Sequence, residues 1–524
     1  MELTTIKLHN MRQIGKAESQ ITLDDDYNVP DYRPDIMKII KEQGELKLDE
    51  IKPALGAVWI KGKLIFRILY RSDRENGKIS CLKGELPFQE KLNMDGFTEY
   101  DPVRVLGELE DLTVGVIHSR KLSIRAVVVL RAIAEAGELQ EISDGVEDGD
   151  GCLQLRKEVE ISEQILAKHD ICRQKNEIAL PSSKPNVREI LWRSVELRNV
   201  SSRLDKDGLH MTGEILLAIL YQEEEEPDRV QWYETTLPLE VRTELGIENT
   251  KSDESIFYKV QIEEVGKELE VKPDYDGEER MLVLDLQVRL FVRAWQDVHI
   301  PLLEDVYSLK ENLLPSQEKT LVERLLMKND AVCKLTEEME LEEHQEKILQ
   351  ICSCEGRAHI DRIQSLQNGL LVEGTLAVHL LYITTDDQMP VGAAYKLYPF
   401  EQFVELPETT QQMHIEQDCH MIQLQASMLD QTHAEIKATV GINILAFVQE
   451  EMAHITEVKA EALDFEKLQE MPGLVGYIVK KGDTLWNIAK QYHTTVETIM
   501  DINQKKSDAL QIGERLLIVK SINS

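Results

Sequence analysis

The nonapeptide Gly62-Lys-Leu-Ile-Phe-Arg-Ile-Leu-Tyr70 recurs twice further along the chain, as Gly213-Glu-Ile-Leu-Leu-Ala-Ile-Leu-Tyr221 and Gly374-Thr-Leu-Ala-Val-His-Leu-Leu-Tyr382. Each copy begins with Gly, ends with Leu-Tyr and is rich in Leu and Ile between them. Such an apolar run bounded by polar residues favours a β-strand. We call this pattern the Gly–Tyr strand.

The similarity between the copies extends well beyond the Gly–Tyr strand. The same distance past each Gly lies a proline, and the same distance before each Gly lies Ile or Val: Pro87, Pro238 and Pro399; Ile36, Val187 and Ile348. Copies two and three also keep one offset from Cys172 and Cys333 through Glu240 and Glu401. Chance does not produce identity at so many fixed offsets. The period is too long for a solenoid, so each copy is expected to be a domain.

Two further features predict the architecture of each copy. A variable polar loop follows the Gly–Tyr strand, and a return strand then leads to the proline, which predicts a long hairpin with a tolerant tip. A second strand set follows, at 122–130, 281–292 and 436–447, in which polar and apolar residues alternate. Such alternation indicates antiparallel sheets with one buried face. The predicted fold is mainly β, with three tandem sandwich or open-barrel modules at 1–143, 152–310 and 330–455.

The segments between the modules are predicted to be linkers. The stretch Ser143–Gly151 is rich in Asp and Gly and predicts a flexible acidic joint. Residues 312–335 have helical spacing of leucines, which predicts a helix between copies two and three. Residues 457–468 are predicted to form a charged, helix-like spacer that ends at Met471-Pro-Gly473.

The last segment, 474–520, has a different pattern. Tyr477-Ile-Val predicts a strand, Asp483 or Thr484 can cap a helix, and Leu485, Ile488, Ala489 and Tyr492 follow at helical spacing. Thr494 or Thr495 can cap a second helix, and Leu516-Leu-Ile-Val519 predicts a closing strand. The segment is therefore expected to be a small β-α-α-β unit.

This segment resembles the LysM domain over nearly its whole length, from Tyr-x-Val through Gly482-Asp-Thr-Leu-Trp486 and Asn503 to Gly513 and the last strand. LysM domains usually recognise N-acetylglucosamine polymers in a groove between the loop from the first strand to the first helix and the loop from the second helix to the second strand. The resemblance implies a groove at Gly482, Asp483, Thr484, Leu485, Trp486, Ile502, Asn503, Leu510 and Gly513. Trp486 is either a binding anchor, because indole buries much area at little entropic cost, or a cover of the small core.

Composition limits the kinds of partner. The net charge is −35, whereas residues 475–524 hold seven Lys and Arg against five Asp and Glu, about +2. The remainder, about −37, argues against nucleic acid and anionic lipid and favours basic partners. We find no secretion signal at the N-terminus and no apolar run of membrane-spanning length, so export and membrane insertion are not expected. Seven scattered cysteines suit a reducing cytosol.

The sequence carries no motif of a known enzyme class. Esterase, nucleotide-binding and zinc motifs are missing, and His379 varies to Arg67 and Ala218 in the other copies. We therefore assign His379 no chemistry and expect a semi-exposed face there. Neither catalytic residues nor metal ligands nor cofactors are expected.

The whole arrangement, tandem β modules followed by one LysM, resembles the SPOCS-domain proteins of spore-forming Firmicutes, and those of clostridia more than those of Bacillus. The resemblance implies a scaffold of the endospore coat in the mother-cell cytoplasm. Its LysM domain would dock on the coat-basement ATPase SpoIVA at the forespore surface, and other coat proteins or a second copy are further possible partners. The alternative is a binder of peptidoglycan or another N-acetylglucosamine polymer; a wall hydrolase would need a catalytic constellation that is not found.

Overall fold

The computed structural model describes residues 2–74, 78–147, 151–205, 208–246, 256–407 and 413–521. In these ranges strands dominate and helices are confined to the C-terminal end. Module 1 contains β1 (Leu3–Asn28), β2 (Ile36–Ala54), β3 (Ala57–Ser72), β4 (Ile79–Asn93), β5 (Val103–His118) and β6 (Lys121–Val146). Module 2 contains β7 (Cys152–Ala179), β8 (Val187–Asp205), β9 (Gly208–Glu223), β10 (Val230–Thr243), β11 (Ile256–Pro273) and β12 (Glu279–Ser308).

Module 3 and the C-terminal unit complete the chain. Module 3 contains β13 (Glu311–Glu340), β14 (Ile348–Leu366), β15 (Gly369–Thr384), β16 (Val391–Glu405), β17 (Met413–Met428) and β18 (His433–Ala462). A short helix follows, and then the β-α-α-β unit: α1 (Phe465–Glu470), β19 (Leu474–Ile478), α2 (Leu485–Gln491), α3 (Val496–Ile502) and β20 (Arg515–Val519). The mainly β fold predicted from the sequence is confirmed.

All three modules have one topology. In each, the second, third and fourth strands form one antiparallel sheet, here the hairpin sheet, with the third strand in the centre. The first, sixth and fifth strands form the other, here the long sheet, with the sixth strand in the centre. The predicted hairpin of each module is formed by the third and fourth strands of its hairpin sheet. The predicted second strand set is the sixth strand, in the centre of the long sheet, so both predictions are confirmed.

The strand register explains the first residue of the Gly–Tyr strand. Gly62 lies opposite Phe88, and Gly374 lies opposite Phe400. A Cβ atom at Gly62 would stand 2.8 Å from the Phe88 ring, and one at Gly374 would overlap the Phe400 ring. Such distances are below van der Waals contact, so glycine leaves the space into which the aromatic ring folds.

The two sheets of a module pack face to face over an apolar core. The central strand of each long sheet places every second side chain inward, as seen for Leu122, Ile124 and Ala126, all fully buried. They meet inward side chains of the hairpin sheet such as Phe66 and Tyr70. This alternation is the pattern of a β-sandwich with one wet and one buried face.

The three modules pack against one another. One buried cluster takes the same positions from every copy: Leu69, Leu220 and Leu381, together with Ile79, Val391 and half-buried Val230. Leu69, Leu220 and Leu381 are separated along the chain by the same intervals as Gly62, Gly213 and Gly374. The same holds for Ile79, Val230 and Val391. The hairpin sheets therefore meet about a common centre, in an approximately threefold arrangement.

A buried ion pair lies beside this cluster and joins all three modules. The Lys41 ammonium lies 2.8 Å from the Glu355 carboxylate and 5.0 Å from the Trp192 ring centroid. The Trp192 indole donates to the same carboxylate at 3.2 Å. Lys41 belongs to module 1, Trp192 to module 2 and Glu355 to module 3. We call this trio the central junction.

Two linker predictions are wrong. The helix predicted at 312–335 is part of β13, which pairs with β18 along its whole length. Residues 457–462 belong to β18, and only Phe465–Glu470 is helical in that spacer. In both, pairing with a long neighbouring strand overrides local helical spacing, and Leu313, Val322 and Val458 are buried in clusters with residues of other modules.

Two predicted loops are only partly described. Ser143–Val146 of the predicted acidic joint lie in β6, and residues 148–150 are outside the described ranges, as are residues 75–77 of the first hairpin tip. No helix in the described part of the chain is both long and apolar enough to cross a bilayer.

Candidate functional site

The C-terminal unit folds as its sequence predicts. Leu485, Ile488, Ala489 and Ile499 are buried in its small core. The Thr484 hydroxyl accepts from the Asn487 amide at 3.1 Å and caps α2, which satisfies a donor that the helix start leaves open. The Thr495 hydroxyl accepts from the Thr498 amide at 3.1 Å and caps α3 in the same way.

The two loops expected to form the groove lie side by side. The Val479 amide donates to the Glu514 carbonyl at 2.9 Å, and the Gly513 amide donates to the Val479 carbonyl at 2.8 Å. Gly482 and Gly513 have φ values of 92° and 86°, which side chains with a Cβ rarely adopt. The turn glycines therefore set the shape of both loops.

Four of the nine predicted groove residues stabilise the unit itself. Asp483 accepts from the Lys480 amide at 2.7 Å and from the Tyr477 hydroxyl at 2.8 Å, and these hydrogen bonds lower the pKa of its carboxyl. Leu485 is core, and Thr484 is the cap. The Asn503 amide group donates to the Leu517 carbonyl and accepts from the Leu517 amide, both at 2.7 Å, and so ties α3 to β20.

The remaining loop residues form an accessible rim. Gly482 and Gly513 are exposed, and Ile502 and Leu510 are half-buried. Ile512 stands beside Gly513 and is 73% exposed, a residue that the sequence reasoning missed. The available signal was an isoleucine directly before a turn glycine in a polar loop, where core packing does not explain an apolar side chain.

Trp486 lies on the helical side of the unit and contacts module 2. Its indole donates to the Asp305 carboxylate at 2.8 Å, and its ring meets Tyr307 edge-on at 4.7 Å between centroids. The Lys490 ammonium reaches Asp305 at 2.6 Å. The part of Trp486 in partner binding stays a prediction, but in this arrangement its indole is engaged within the chain.

Two more contacts join the same surfaces. The Tyr307 hydroxyl donates to the Thr494 carbonyl at 2.9 Å, and a ring nitrogen of His493 lies 3.0 Å from the Leu309 carbonyl. Tyr307 is 5% exposed, and its burial raises its pKa to about 12. We call the Asp305, Tyr307 and Leu309 contacts the latch. No sequence pattern pointed to it, because its two halves are far apart in the chain and meet only by folding.

Buried or half-buried titratable side chains include the close pair Cys352 and Cys354 and also His379. No group of three or more His, Cys, Asp or Glu side chains suited to a metal ion occurs within the described ranges. Burial raises the pKa of both Cys352 and Cys354 to about 12, so these thiols remain protonated at neutral pH. His379 is half-buried against Tyr395, and burial and the nearby Lys41 lower its pKa to about 4.

Comparisons with known proteins match two kinds of domain. The LysM domain model matches residues 477–519. The model described as "SipL, SPOCS domain" matches residues 35–117 and 347–429. The two SPOCS matches cover the same four strands, β2–β5 in module 1 and β14–β17 in module 3.

A curated relative matches the chain over a short segment. A probable N-acetylmuramidase of Lactococcus lactis subsp. cremoris is 44% identical over 48 residues, 9% of this chain and 11% of that protein. The chain therefore spans about a tenth of that relative's length, and the shared part is the LysM region. No solved structure matches the chain significantly.

Both matched domain types are binding or scaffold domains, and both agree with the resemblance seen in the sequence. The chain therefore contains two matches to the SPOCS domain and a C-terminal match to the LysM domain, as the sequence resemblance implies.

Proposed function

We propose that this protein is a non-enzymatic scaffold of endospore coat assembly, whose LysM domain docks on a coat-basement protein of the SpoIVA kind. Docking would take place in the mother-cell cytoplasm, at the forespore surface. The observation that carries the proposal is the presence of SPOCS and LysM domains in one chain. The interlocked modules would form the body, and the LysM domain would be the docking head.

Charge supports a protein partner for the head. The LysM segment carries about +2, whereas the rest of the chain carries about −37. Lys480, Lys481 and Lys506 are exposed on the two loops beside Ile512. An apolar centre with a basic rim suits an acidic protein surface that presents an apolar pocket.

The latch divides the head into two surfaces. The loop rim is accessible in the folded chain, whereas the Trp486 side is covered by Asp305 and Tyr307. A partner that binds the loop rim needs no rearrangement. A partner that binds Trp486 must first displace module 2. The free energy needed to open the latch is therefore subtracted from the binding free energy of that partner.

Affinity purification from sporulating cells tests the proposal. The full chain should retain the coat-basement protein, and a chain without residues 470–524 should not. Equal retention of the coat-basement protein by both chains would show that the LysM domain is not the docking element.

A point variant tests the loop rim within the full chain. Ile512→Asp should weaken partner binding by about tenfold, because an exposed apolar anchor typically contributes more than 1 kcal/mol. Ser507→Asp, on the same exposed loop with the same charge change, should bind as the wild type does. If only Trp486→Ala weakens binding, the partner uses the latched side instead.

The second candidate function is binding of an N-acetylglucosamine polymer. The relative whose LysM region is 44% identical bears the name of a muramidase, which favours this alternative. Sedimentation of the full chain with purified peptidoglycan or chitin distinguishes the two. Saturable binding that is lost without residues 470–524 supports the glycan, and no sedimentation supports the protein partner.

A further inference from the structure

The outward face of the hairpin sheet in module 3 differs from its two counterparts. On β16 the outward side chains include Tyr395, Leu397 and Phe403, which are 55%, 52% and 44% exposed. We call these three residues the β16 stripe. In the strand register they lie opposite His379, Ala377 and Leu371 of β15. This register identifies the equivalent positions in the other two modules.

The same positions in the other modules carry charged or polar side chains. In module 1 they are Lys83, Glu85 and Lys91, opposite Arg67, Ile65 and Trp59. In module 2 they are Glu234, Thr236 and Arg242, opposite Ala218, Leu216 and His210. Of the three equivalent sheets, only that of module 3 has large apolar side chains at these three positions, although Trp59 is 40% exposed on the neighbouring strand of module 1. Folding does not require apolar residues at these positions, because two copies fold without them.

The surroundings of the β16 stripe are acidic. Glu373 and Glu401 face each other across β15 and β16, where like charges directly opposite are unfavourable. The equivalent pairs are Lys61 with Gln89 and Thr212 with Glu240, so this acidic pair is also confined to module 3. Among the described residues, neither Glu373 nor Glu401 forms an ion pair.

Module 1 adds carboxylates on the neighbouring side. Burial, together with the nearby Asp111 carboxylate, raises the pKa of both Glu42 and Tyr395. Asp111 belongs to module 1, so its carboxylate adds negative charge near Tyr395, at one end of the β16 stripe. A cation of a partner protein near Glu373, Glu401 or Asp111 would reduce the repulsion among these carboxylates.

From this surface we infer a second docking site, which binds an extended segment of a partner protein that presents both apolar residues and Lys or Arg at every second position, on the face turned toward β16. The apolar side chains would cover Tyr395, Leu397 and Phe403, and the cations would pair with Glu401, Glu373 and Asp111. The stripe runs along one strand, so its groups recur at the two-residue spacing that an extended segment reproduces. The site is independent of the LysM domain and of the function proposed for it.

The repeat supplies the variant that tests the inference. The triple change Tyr395→Lys, Leu397→Glu and Phe403→Lys installs the residues of module 1, so the fold is known to accept them. The control Glu234→Lys, Thr236→Glu and Arg242→Lys installs the same residues in module 2. Each triple change alters the net charge by +1, so general electrostatic attraction changes equally.

The full chain is titrated into a fluorescein-labelled Val–Lys peptide, in which every second residue is Val or Lys and the residues between them are Ser. In the Ser–Lys and Val–Glu reference peptides, Ser replaces each Val or Glu replaces each Lys. The wild type and the control should bind the Val–Lys peptide alike, and the stripe variant should bind at least about tenfold more weakly. All three proteins should bind the Ser–Lys peptide equally and weakly. Equal affinity of the wild type and the stripe variant for Val–Lys would overturn the inference.

Sedimentation of the unliganded proteins tests the other possible occupant. We expect the wild type and the stripe variant to have the same mass, because a strongly acidic chain repels its own copies. A wild-type dimer that the stripe variant abolishes would assign the surface to self-association and overturn the proposed partner.

Discussion

The three tyrosines that end the Gly–Tyr strands are fully buried and yet are hydrogen-bonded differently. The Tyr70 hydroxyl donates to the Pro34 carbonyl and the Tyr221 hydroxyl to the Pro185 carbonyl, both at 3.2 Å. Module 3 has Glu346 at the equivalent position, and the Tyr382 hydroxyl is buried without a partner in the described part of the chain. The repeated residue thus has one packing role and two polar environments.

Replacing these tyrosines with phenylalanine should separate the two environments. Tyr70→Phe should lower the free energy of unfolding by about 1 kcal/mol, because it leaves a buried carbonyl unpaired. Tyr382→Phe should leave it unchanged or raise it slightly, because the removed hydroxyl has no partner to lose. Urea unfolding of both variants measures the difference, and equal losses would contradict it.

The half-buried His379 lies near Lys41 of module 1, and we expect its protonation to weaken the fold at acid pH. Its pKa is about 4 in the fold, against 6.5 ordinarily, so the unfolded chain takes up this proton first as the pH falls. The neutral ring contributes its full stability above pH 6.5 and loses it progressively down to about pH 4. The expected loss is on the order of 2 kcal/mol.

His379→Ala supplies the comparison, because module 2 has Ala218 at this position. Its free energy of unfolding should fall less steeply between pH 6.5 and 4 than that of the wild type. Glu355, whose pKa is lowered, weakens the fold in the same direction on acidification but does so in both proteins. Parallel pH profiles would show that His379 does not titrate in this way.

At the scale of elements, the end of β12 does more than close a sheet. Asp305 and Tyr307 extend beyond the module core and hold α2 of the LysM domain. The Asp305 carboxylate binds both the Trp486 indole and the Lys490 ammonium, and hydrogen bonds to charged groups contribute about 1.5–3 kcal/mol each. This side chain should therefore dominate the latch.

Asp305→Ala should lower the equilibrium constant for docking of the LysM domain onto module 2 by about tenfold or more without unfolding the domain. Hydroxyl-radical footprinting should report faster oxidation of Trp486. Glu304→Ala, the exposed neighbour with the same charge change, should leave Trp486 protected. Unchanged oxidation in Asp305→Ala would mean that apolar contacts alone hold the domain.

At the scale of the whole molecule, the central junction makes the three modules interdependent. The Lys41 side chain is 4% exposed and that of Glu355 is 11% exposed, so neither charge is well solvated. The cost of burying both is offset only while they remain paired. Repetition alone does not produce this contact, because module 3 has Ser353 where the others have Lys41 and Trp192.

Glu355→Ala should destabilise the chain by about 3 kcal/mol, because it leaves the Lys41 ammonium buried without its partner. The double variant Lys41→Met, Glu355→Leu should recover most of that loss, and Glu373→Ala on an outer face should cost less than about 0.5 kcal/mol. Denaturant midpoints measure all three. A single variant as stable as the wild type would show that water reaches Lys41.

The sequence by itself determined the triplication, the antiparallel strands and the β-α-α-β order of the LysM unit, and it narrowed each helix cap to two neighbouring residues. These features depend on local patterns: alternation along a strand, helical spacing, a capping threonine and turn glycines. They also sufficed for the SPOCS and LysM resemblance. The order of the sheets followed only from the structure, since pairing partners such as β1 and β6 lie far apart in the chain.

Tertiary structure decided what local patterns do not encode. Residues 312–335 have helical spacing but form a strand, because a long neighbouring strand pairs with them. The residues predicted to form one groove lie on two surfaces of the LysM domain, because Asp305 and Tyr307 contact the Trp486 indole in the folded chain. Buried contacts between distant residues, such as Lys41 with Glu355, depend on how modules pack, and that packing follows from shape and charge in three dimensions rather than from the spacing of residues along the chain.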